Sequence, residues 1–368
     1  MSTHKKWRLG TLGHTEIVIH PQALFTVAII CALYYPYILT TLPVTSALIT
    51  AVLTALGLLG SILFHEIAHV LVARRFAVHA PRIELTILGG HAQFSTPFTT
   101  PWHSATTSLA GPAANLLLAG LLSMVLTVVP PTGVPAHTLD ILIYLNLLLA
   151  LFNAIPGLPL DGGHALAALM WAFSGKHSTG TRIAAYAGRA LAVITLFAVT
   201  AVPFLRGDYP NYVVIVWGII LAAVLWSGTA QSLRYAAYLA RIEKINVHDI
   251  ARPAIVLPAH ASVQELHRDS VHLPHAVVLL TSPNGDITGW VDRSVLNSVP
   301  PTHREHLTAQ SIAITLLPGS HLRAPAHTTV IAATLFDPDG SRPLVVLSEA
   351  THPTRVVVAS DLAALLAR

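Results

Sequence analysis

Six long apolar segments take up most of the first 240 residues of this chain and carry almost no charge. The hydrocarbon core of a bilayer is about 30 Å thick and is crossed by about 20 helical residues. The segments approach or exceed that length, the fourth being the shortest, so the sequence predicts six membrane-spanning helices. They cover residues 17–42, 47–76, 105–129, 139–154, 183–205 and 212–239.

The distribution of charge divides the chain into two parts. Five acidic residues occur between positions 17 and 240, whereas ten follow position 246. Charged residues make up 10% of the chain, against about 25% in average soluble domains, which excludes an ordinary soluble enzyme. We expect a membrane domain over residues 1–244 and a soluble domain over residues 245–368. The basic residues form no continuous patch, so nucleic acid is not an expected partner.

Lysine and arginine residues predict the orientation in the membrane, because short loops that carry them are retained in the cytoplasm. They precede the first segment and follow the second, fourth and sixth, whereas the opposite loops contain only Arg206. The sequence therefore predicts a multi-pass plasma-membrane protein with both termini in the cytoplasm. The residues concerned are Lys5, Lys6, Arg8, Arg74, Arg75, Arg82, Lys176, Arg182, Arg241 and Lys244.

A short β-hairpin is predicted over residues 83–94, between the second and third segments. Apolar and polar residues alternate from Ile83 to Ile87, and the run then reaches Gly89-Gly90. Period-two alternation with a Gly-Gly turn is typical of a hairpin. Its place between two membrane spans indicates that it dips into the protein. The alternative is an amphipathic surface loop.

The residues after Lys244 form short β-branched runs separated by turn signals, which predicts a soluble α/β domain. Two stretches, residues 247–299 and 306–368, share one layout of a helix, a hydrophobic strand pair and the start of a terminal helix. This layout predicts an internal repeat. The fold class is therefore an α-helical polytopic membrane protein with a membrane-associated hairpin, followed by a soluble α/β domain.

The second apolar segment contains His65-Glu66-Ile67-Ala68-His69. Residues four apart return to one helix face, so His65 and His69 can bind a single zinc ion. Glu66 lies beside them and can act as a general base towards a water molecule. A packed polar triplet without metal is the alternative, although ionisable groups inside a membrane helix are costly.

A catalytic zinc ion normally has three protein ligands, so a third is required. With Cys31 as the single cysteine, the ligand must be histidine or a carboxylate. Asp161 is the candidate, because it lies in the Pro/Gly-rich stretch 153–163 at the broken end of the fourth segment. A helix cap or turn residue is the alternative. His91 and His164 rank below Asp161, since each lies next to glycines.

Two further polar residues accompany these candidates. Asn153 lies in the same unwound stretch, where its amide can donate to a developing oxyanion or hold an extended peptide. Capping of the broken helix explains Asn153 as well. In Gly111-Pro-Ala-Ala-Asn115 we interpret the small residues as helix packing and Asn115 as an interhelical hydrogen bonder.

Together these motifs resemble the site-2 protease family of intramembrane zinc metalloproteases, in its branch with six membrane spans and a C-terminal pair of CBS domains. The most specific part combines Phe64-His-Glu-Ile-Ala-His69 with Asn153-x-x-Pro156-x-x-Pro-Leu-Asp161-Gly-Gly163, and Gly111-Pro-x-x-Asn115 and Leu88-Gly-Gly90 are further signatures. The resemblance implies that His65, His69 and Asp161 bind one zinc ion. It also implies that Glu66 activates the water and Asn153 assists the tetrahedral intermediate.

The resemblance implies single-span membrane proteins as substrates, such as anti-sigma factors or tethered transcription regulators, cut in or near the membrane segment. A substrate helix must be unwound before cleavage, and we expect the extended segment to add as a strand beside residues 83–88. The alternative function is a CBS-regulated transporter or metal channel lined by His65, Glu66, His69 and Asp161.

The soluble half resembles a CBS pair, a module that commonly binds adenine nucleotides. Asp361 matches the position that often contacts the ribose in the second repeat. Val295 and Val358 depart from the family pattern, which leaves nucleotide binding in doubt. Formation of a homodimer through this module, or a lid over the cytoplasmic mouth of the active site, needs no nucleotide.

Overall fold

The computed structural model describes residues 6–86, 89–207, 212–244, 250–273, 275–316, 321–323, 344–349 and 352–366. Contacts divide the chain into two compact units, the first reaching Ala237 and the second beginning at Tyr238. The first unit is mainly helical, and the second is mixed α/β. Both findings confirm the predicted fold class.

Seven helices are described from residue 23 to residue 242. They are α1 (Ala23–Ile38), α2 (Val44–Arg75), α3 (Pro101–Val128), α4 (Val134–Asn153), α5 (Asp161–Ser174), α6 (His177–Leu205) and α7 (Tyr212–Ile242). Five of them, namely α2, α3, α4, α6 and α7, are long and apolar enough to cross a membrane. A multi-pass membrane protein is therefore confirmed, whereas the count of six spans is not.

The first predicted span, residues 17–42, is wrong at its start. Residues Thr15–Ile19 form a β-strand, and α1 has 16 residues. At 1.5 Å per residue a helix of this length covers about 24 Å, which is shorter than the hydrocarbon core. The β-branched run Ile17-Val18-Ile19 favours a strand, because such side chains pack well on a pleated surface.

Local sequence chemistry explains where several helices begin and end. The Thr100 hydroxyl accepts a hydrogen bond from the His103 amide at 3.3 Å, and Pro101 occupies the first turn of α3. A threonine cap followed by proline is a strong start signal. Helix α5 ends at Gly175, whose φ of 69° is in the left-handed region that favours glycine. A separate α5 was not predicted from the sequence.

A four-stranded sheet of order β1-β2-β3-β4 accompanies the helices of the first unit. Its strands are β1 (Trp7–Leu12), β2 (Thr15–Ile19), β3 (Arg82–Thr86) and β4 (Gly89–Gln93). Strands β2 and β3 are parallel, and the other two pairs are antiparallel. Ile83 of β3 is fully buried in a cluster with Val70 of α2, so the sheet packs on this helix.

The predicted hairpin is formed by β3 and β4, but its turn was placed wrongly. Thr86 pairs with Gly89 and Leu85 with Gly90, so both glycines belong to β4. The connecting residues 87 and 88, including the Leu88 of the quoted motif, lie outside the described residues. Within the described part of the chain β4 pairs only with β3, so it is an edge strand.

Two of the basic residues that predict the orientation also form hydrogen bonds that hold the sheet in place. Arg74, near the end of α2, donates hydrogen bonds to the Leu12 carbonyl oxygen and, at 2.9 Å, to the Thr15 hydroxyl. Arg82 donates to Glu16 at 3.3 Å. These contacts join the β1–β2 connection to α2 and join β2 to β3.

Glu84 of β3 is 7% exposed and is surrounded by basic groups. Its carboxylate lies 3.1 Å from Lys6 Nζ, 3.0 Å from His20 Nε2 and 3.3 Å from Arg82. Burial by itself would raise the pKa of Glu84, but the hydrogen bonds from Lys6, His20 and Arg82 outweigh it and lower the pKa to about 2. The ionised carboxylate therefore stabilises the folded sheet.

The second unit contains a seven-stranded sheet of order β8-β7-β6-β5-β11-β10-β9. Its elements are β5 (Arg252–Pro258), α8 (Val263–Val271), β6 (Val277–Thr281), β7 (Ile287–Val291), α9 (Arg293–Ser298), β8 (Ile314–Thr315), β9 (His321–Arg323), β10 (Leu344–Glu349), β11 (His352–Val358) and α10 (Ala359–Leu366). Strand β6 is buried on both faces, with Leu279 and Leu280 in different core clusters.

Strand pairing in the second unit has the same pattern twice. Strands β5 and β6 are parallel, β6 and β7 are antiparallel, and α9 follows. Strands β9 and β10 are likewise parallel, β10 and β11 are antiparallel, and α10 follows. This repetition supports the internal repeat that the sequence predicts.

We expect Glu84→Gln to lower the free energy of unfolding at pH 7 by about 1–3 kcal/mol, because charge-assisted hydrogen bonds are lost. The folded-state pKa is below the ordinary value of 4.5, so this contribution is complete above that pH and disappears as the pH falls towards 2. Unfolding in detergent at several pH values measures the effect. The control, Glu16→Gln, weakens the more exposed ion pairs with Arg8 and Arg82 and should cost less than about 1 kcal/mol. An equal loss in both variants would contradict the prediction.

Candidate metal centre

His65, His69 and Asp161 come together although 96 residues separate the first from the last. The two Nε2 atoms are 3.1 Å apart, and Asp161 Oδ2 lies 2.9 Å from His65 Nε2 and 3.4 Å from His69 Nε2. These three residues form the one group of potential metal ligands found among the described residues. His91 and His164 do not belong to it.

Asp161 reaches the histidines because α4 and α5 are broken apart by an irregular segment. Helix α4 ends at Asn153, and Asp161 is the first residue of α5. A Cβ at Gly162 would lie 2.3 Å from the Ala154 carbonyl oxygen, and one at Gly163 would lie 2.2 Å from the Leu158 nitrogen. Both glycines are needed for the first turn of α5 to pack on the chain that precedes it.

The other ring nitrogens show which atoms are available to a metal. His69 Nδ1 lies 2.7 Å from the Thr107 carbonyl oxygen, and His65 Nδ1 lies 2.6 Å from Asn115 Oδ1. Because both partners are acceptors, each Nδ1 carries the proton and each Nε2 has a free lone pair. Two lone pairs and a carboxylate oxygen then face one another, an arrangement that a divalent cation stabilises.

The donor set fits zinc. Two imidazole nitrogens and one carboxylate oxygen are the three protein ligands found at many catalytic zinc sites, where a fourth position stays open. Space for the ion is kept by Gly111 of α3, because a Cβ there would lie 2.4 Å from both Nε2 atoms. The expectation that Gly111 serves helix packing was therefore incomplete. Asn115 is confirmed as an interhelical hydrogen bonder, with partners on α2 and α4.

Comparison with known proteins agrees with this geometry. Residues 53–195 match the peptidase family M50. This stretch is therefore a peptidase M50 domain, and it contains His65, His69 and Asp161. Two proteins named as zinc metalloproteases are similar over most of their length: sll0528 of Synechocystis sp., 28% identical over 83% of this chain and 81% of its own, and Rip3 of Mycobacterium tuberculosis, 29% identical over 85% and 79%.

Two solved structures also resemble parts of the chain. A site-2 protease from Methanocaldococcus jannaschii has a TM-score of 0.44 and 22% identity, covering 62% of this chain and 95% of that one. The CBS domain of a membrane protein from Sphaerobacter thermophilus has a TM-score of 0.29 and 17% identity, covering 37% and 96%. The M50 assignment of residues 53–195 rests on the family match and agrees with the two curated relatives, which are named as zinc metalloproteases.

In the M50 domain Glu66 is buried beside the ligands without joining them. Its side chain is next to β4, because a Cβ at Gly90 would lie 2.6 Å from Glu66 Cγ and 3.1 Å from Glu66 Oε1. Gly90 therefore lets the edge strand pass directly over this carboxylate. A peptide beside β4 would lie close to both Glu66 and the ligand group.

Asn153 is the last residue of α4 and is half-buried. Its side chain has no hydrogen bond to another described residue. Asn153 does not cap the broken helix that it ends, because the C-cap position of α4 is occupied by Ala154. The cap position of α5 is occupied by Leu160, which makes no side-chain hydrogen bond. The same observation excludes capping as the role of Asp161, whose carboxylate faces the histidines instead.

The sequence reasoning missed two buried polar residues of this domain, Asn146 and Ser61. Asn146 is fully buried and donates hydrogen bonds to Ser61 Oγ and to the Leu142 carbonyl oxygen, and it accepts one from Asn115. The available signal was an amide in the middle of an otherwise apolar span, which is costly without internal partners. Thr107 was also missed, because only its backbone takes part.

Asp361 of the second unit forms a bidentate ion pair. Arg252 donates to Asp361 Oδ2 at 2.6 Å and to Asp361 Oδ1 at 2.5 Å. Both carboxylate oxygens of the residue expected to contact a ribose are therefore already engaged. The pair joins β5 to α10.

We expect Gly111→Ala to weaken zinc binding by at least about a hundredfold, since the new methyl group occupies the space between the histidines. Metal analysis of the purified protein and a chelator competition measure the loss. Gly120→Ala is the matched control on the same helix, because a Cβ at Gly120 meets nothing within 4 Å. Full zinc binding by a folded Gly111→Ala protein would contradict the assignment of this space to the metal.

Proposed function

We propose that this chain is an intramembrane zinc endopeptidase that hydrolyses peptide bonds in or near the membrane segment of single-span proteins. The observation that carries the proposal is the position of the ligand group. Two of its members belong to α2, a helix apolar and long enough to cross a membrane. A hydrolytic centre on such a helix acts on substrates that enter the bilayer.

We propose that His65, His69 and Asp161 bind one zinc ion per chain. A bound zinc ion supplies Lewis acidity, which polarises a peptide carbonyl and acidifies water. Glu66 takes a proton from the attacking water as the water oxygen bonds to the carbonyl carbon. Glu66 then passes that proton to the amide nitrogen as the C–N bond breaks. The Asn153 amide donates a hydrogen bond to the carbonyl oxygen as charge develops there.

Substrate is proposed to bind as an added strand along β4. The expectation that it adds beside residues 83–88 is wrong for the described part of that range, because β3 already pairs with β2 on one side and β4 on the other. Edge strands offer unpaired backbone groups to an extended peptide. Strand β4 has such an edge and lies over Glu66 through Gly90.

The substrates proposed are single-span membrane proteins such as anti-sigma factors or tethered transcription regulators. The enzyme is proposed to lie in the plasma membrane with both termini in the cytoplasm. The asymmetric placement of lysine and arginine in the loops supports this orientation. Cleavage would then occur towards the cytoplasmic end of the substrate helix, where α2 ends with Arg74 and Arg75.

The soluble unit is proposed to be a CBS-pair regulatory domain over residues 245–368, with repeats near 247–299 and 306–368, following a protease domain over 1–244. Its repeated strand pairing supports this interpretation. Because Asp361 is paired with Arg252, an adenine nucleotide would have to displace this contact to use Asp361. Regulation through a homodimer of this unit requires no such displacement.

We expect one of two proline substitutions in β4 to stop cleavage without unfolding the protein. Successive residues of a strand direct their N–H groups to opposite sides. Of His91→Pro and Ala92→Pro, one therefore removes a bond to β3 and the other removes a donor at the open edge. The variant that loses a bond to β3 is identified by its lower melting temperature. The variant that loses a donor at the open edge should keep its melting temperature but lose cleavage of a single-span reporter protein. Full cleavage by a folded edge variant would contradict strand addition.

We expect Glu66→Gln to keep zinc but lose activity on the order of a hundredfold to ten-thousandfold, because the general base is removed. Asp161→Ala should lose both zinc and activity. Zinc analysis and cleavage of a single-span reporter in detergent or proteoliposomes test both variants. The control is Asp140→Asn, an exposed acid-to-amide change in α4 that should keep both properties. Native cleavage by Glu66→Gln would contradict the general-base role of Glu66, whereas zinc flux through proteoliposomes that survives this substitution would favour a transporter.

A further inference from the structure

Asn146 is a fully buried amide in the middle of α4 that the proposed reaction does not use. Its Nδ2 donates to the Leu142 carbonyl oxygen at 2.8 Å and to Ser61 Oγ at 2.9 Å, and its Oδ1 accepts from Asn115 Nδ2 at 2.9 Å. The side chain thus joins α2, α3 and α4. Burying an unpaired amide in an apolar helix is unfavourable, and these hydrogen bonds offset the loss of its contacts with water.

Two backbone carbonyl groups fix the direction of these hydrogen bonds. The Ser61 hydroxyl donates to the Gly57 carbonyl oxygen at 3.0 Å, so its oxygen is left to accept from Asn146. The Leu142 carbonyl oxygen can only accept. Both protons of Asn146 Nδ2 are therefore engaged, and its Oδ1 must face Asn115.

The same constraint passes from Asn115 to His65. Because Asn115 Nδ2 donates to Asn146, its Oδ1 faces His65 Nδ1 at 2.6 Å. His65 then carries its proton on Nδ1 and keeps Nε2 unprotonated. A neutral imidazole binds a metal through the nitrogen that lacks the proton, and the group at the other nitrogen decides which one that is.

The hydrogen-bond partner of His65 Nδ1 must itself be held in one orientation, whereas that of His69 Nδ1 is already fixed. His69 Nδ1 faces the backbone carbonyl oxygen of Thr107, which is fixed by α3. The partner of His65 is a side-chain amide, and an amide can turn over and present its NH₂ group instead. His65 would then be protonated on Nε2, where the proton occupies the metal position.

We propose that Asn146 is a positioning residue that fixes the metal-binding tautomer of His65 by holding the Asn115 amide in one orientation. The proposal rests on the zinc site proposed above and adds to it a residue that touches neither metal nor substrate. Turning Asn115 over would bring its Oδ1 against Asn146 Oδ1, two acceptors with no proton between them. That repulsion, in a buried site, disfavours the inactive orientation.

Substitutions at residue 146 separate orientation from packing. Asn146→Leu has a similar size but cannot accept a hydrogen bond, so Asn115 is free to turn over. A protonated carboxyl in Asn146→Asp keeps an acceptor towards Asn115 and a donor towards the Leu142 carbonyl oxygen. Ser61→Ala removes one polar partner but leaves Leu142 to orient Asn146. Asn146→Ser also removes the acceptor for Asn115, because the short serine hydroxyl bonds its own helix, but it keeps a polar side chain at this position.

The zinc dissociation constant of the full-length protein in detergent, measured by competition with a chromophoric chelator, reads out the effect. We expect Asn146→Leu and Asn146→Ser to weaken zinc binding by about tenfold to a hundredfold. Asn146→Asp and Ser61→Ala should stay within about threefold of the native protein. Melting temperatures of the metal-free proteins check that each variant is folded.

Two outcomes would overturn the proposal: native zinc affinity in a folded Asn146→Leu or Asn146→Ser protein, or an equal loss of affinity in Asn146→Asp, which would indicate a packing role. Should Asn146→Leu fail to fold, Asn146→Ser and Asn146→Asp still give the comparison. A native protein that binds no zinc would refute the proposed function itself, and this result is distinct from any change at residue 146.

Discussion

The meeting of two imidazole nitrogens and a carboxylate oxygen inside a membrane domain is the interaction on which the rest of the structure depends. Desolvated groups of this kind repel one another or remain unpaired unless a cation lies between them. Each imidazole is therefore held from behind by an acceptor, the Thr107 carbonyl oxygen for His69 and the Asn115 amide for His65. The hydrogen bonds at Nδ1 orient both rings so that each Nε2 lies within 3.4 Å of Asp161 Oδ2.

The hydrophobic effect does not drive helices together in lipid, so their association depends on close packing of the backbones. A Cβ at Gly188 would lie 1.9 Å from the Leu158 carbonyl oxygen, and one at Gly57 would lie 2.7 Å from Leu142. The first contact holds the irregular segment before α5 against α6, where the Leu158 amide also donates to the Ala184 carbonyl oxygen at 3.1 Å. The second brings α2 and α4 together at the point where Ser61 meets Asn146. Glycines thus set the distances at which the polar groups can bond.

The ligand group could be predicted from sequence because its chemistry leaves few choices. Histidines four apart on an apolar helix need a third ligand, and acids are rare between residues 17 and 240. The roles of Gly111 and Asn146 could not be predicted in this way, because they depend on which faces of three helices meet. Strand β2 was missed because only His20, Pro21 and Gln22 separate its apolar residues from α1, so a window as long as a membrane span joins the two elements.

The open edge of β4 has unpaired backbone groups, and an unwound substrate has them too. A Cβ at Gly90 would lie 3.1 Å from Ile62 Cγ2 as well as close to Glu66, so β4 lies beside the central part of α2 rather than at its end. Unpaired backbone groups at that depth are unfavourable in hydrocarbon and are tolerated only against protein or water. An unwound substrate has the same unmet groups. Under the strand addition proposed above, pairing the two would satisfy both sets at once, which favours an extended peptide over a helix at this edge.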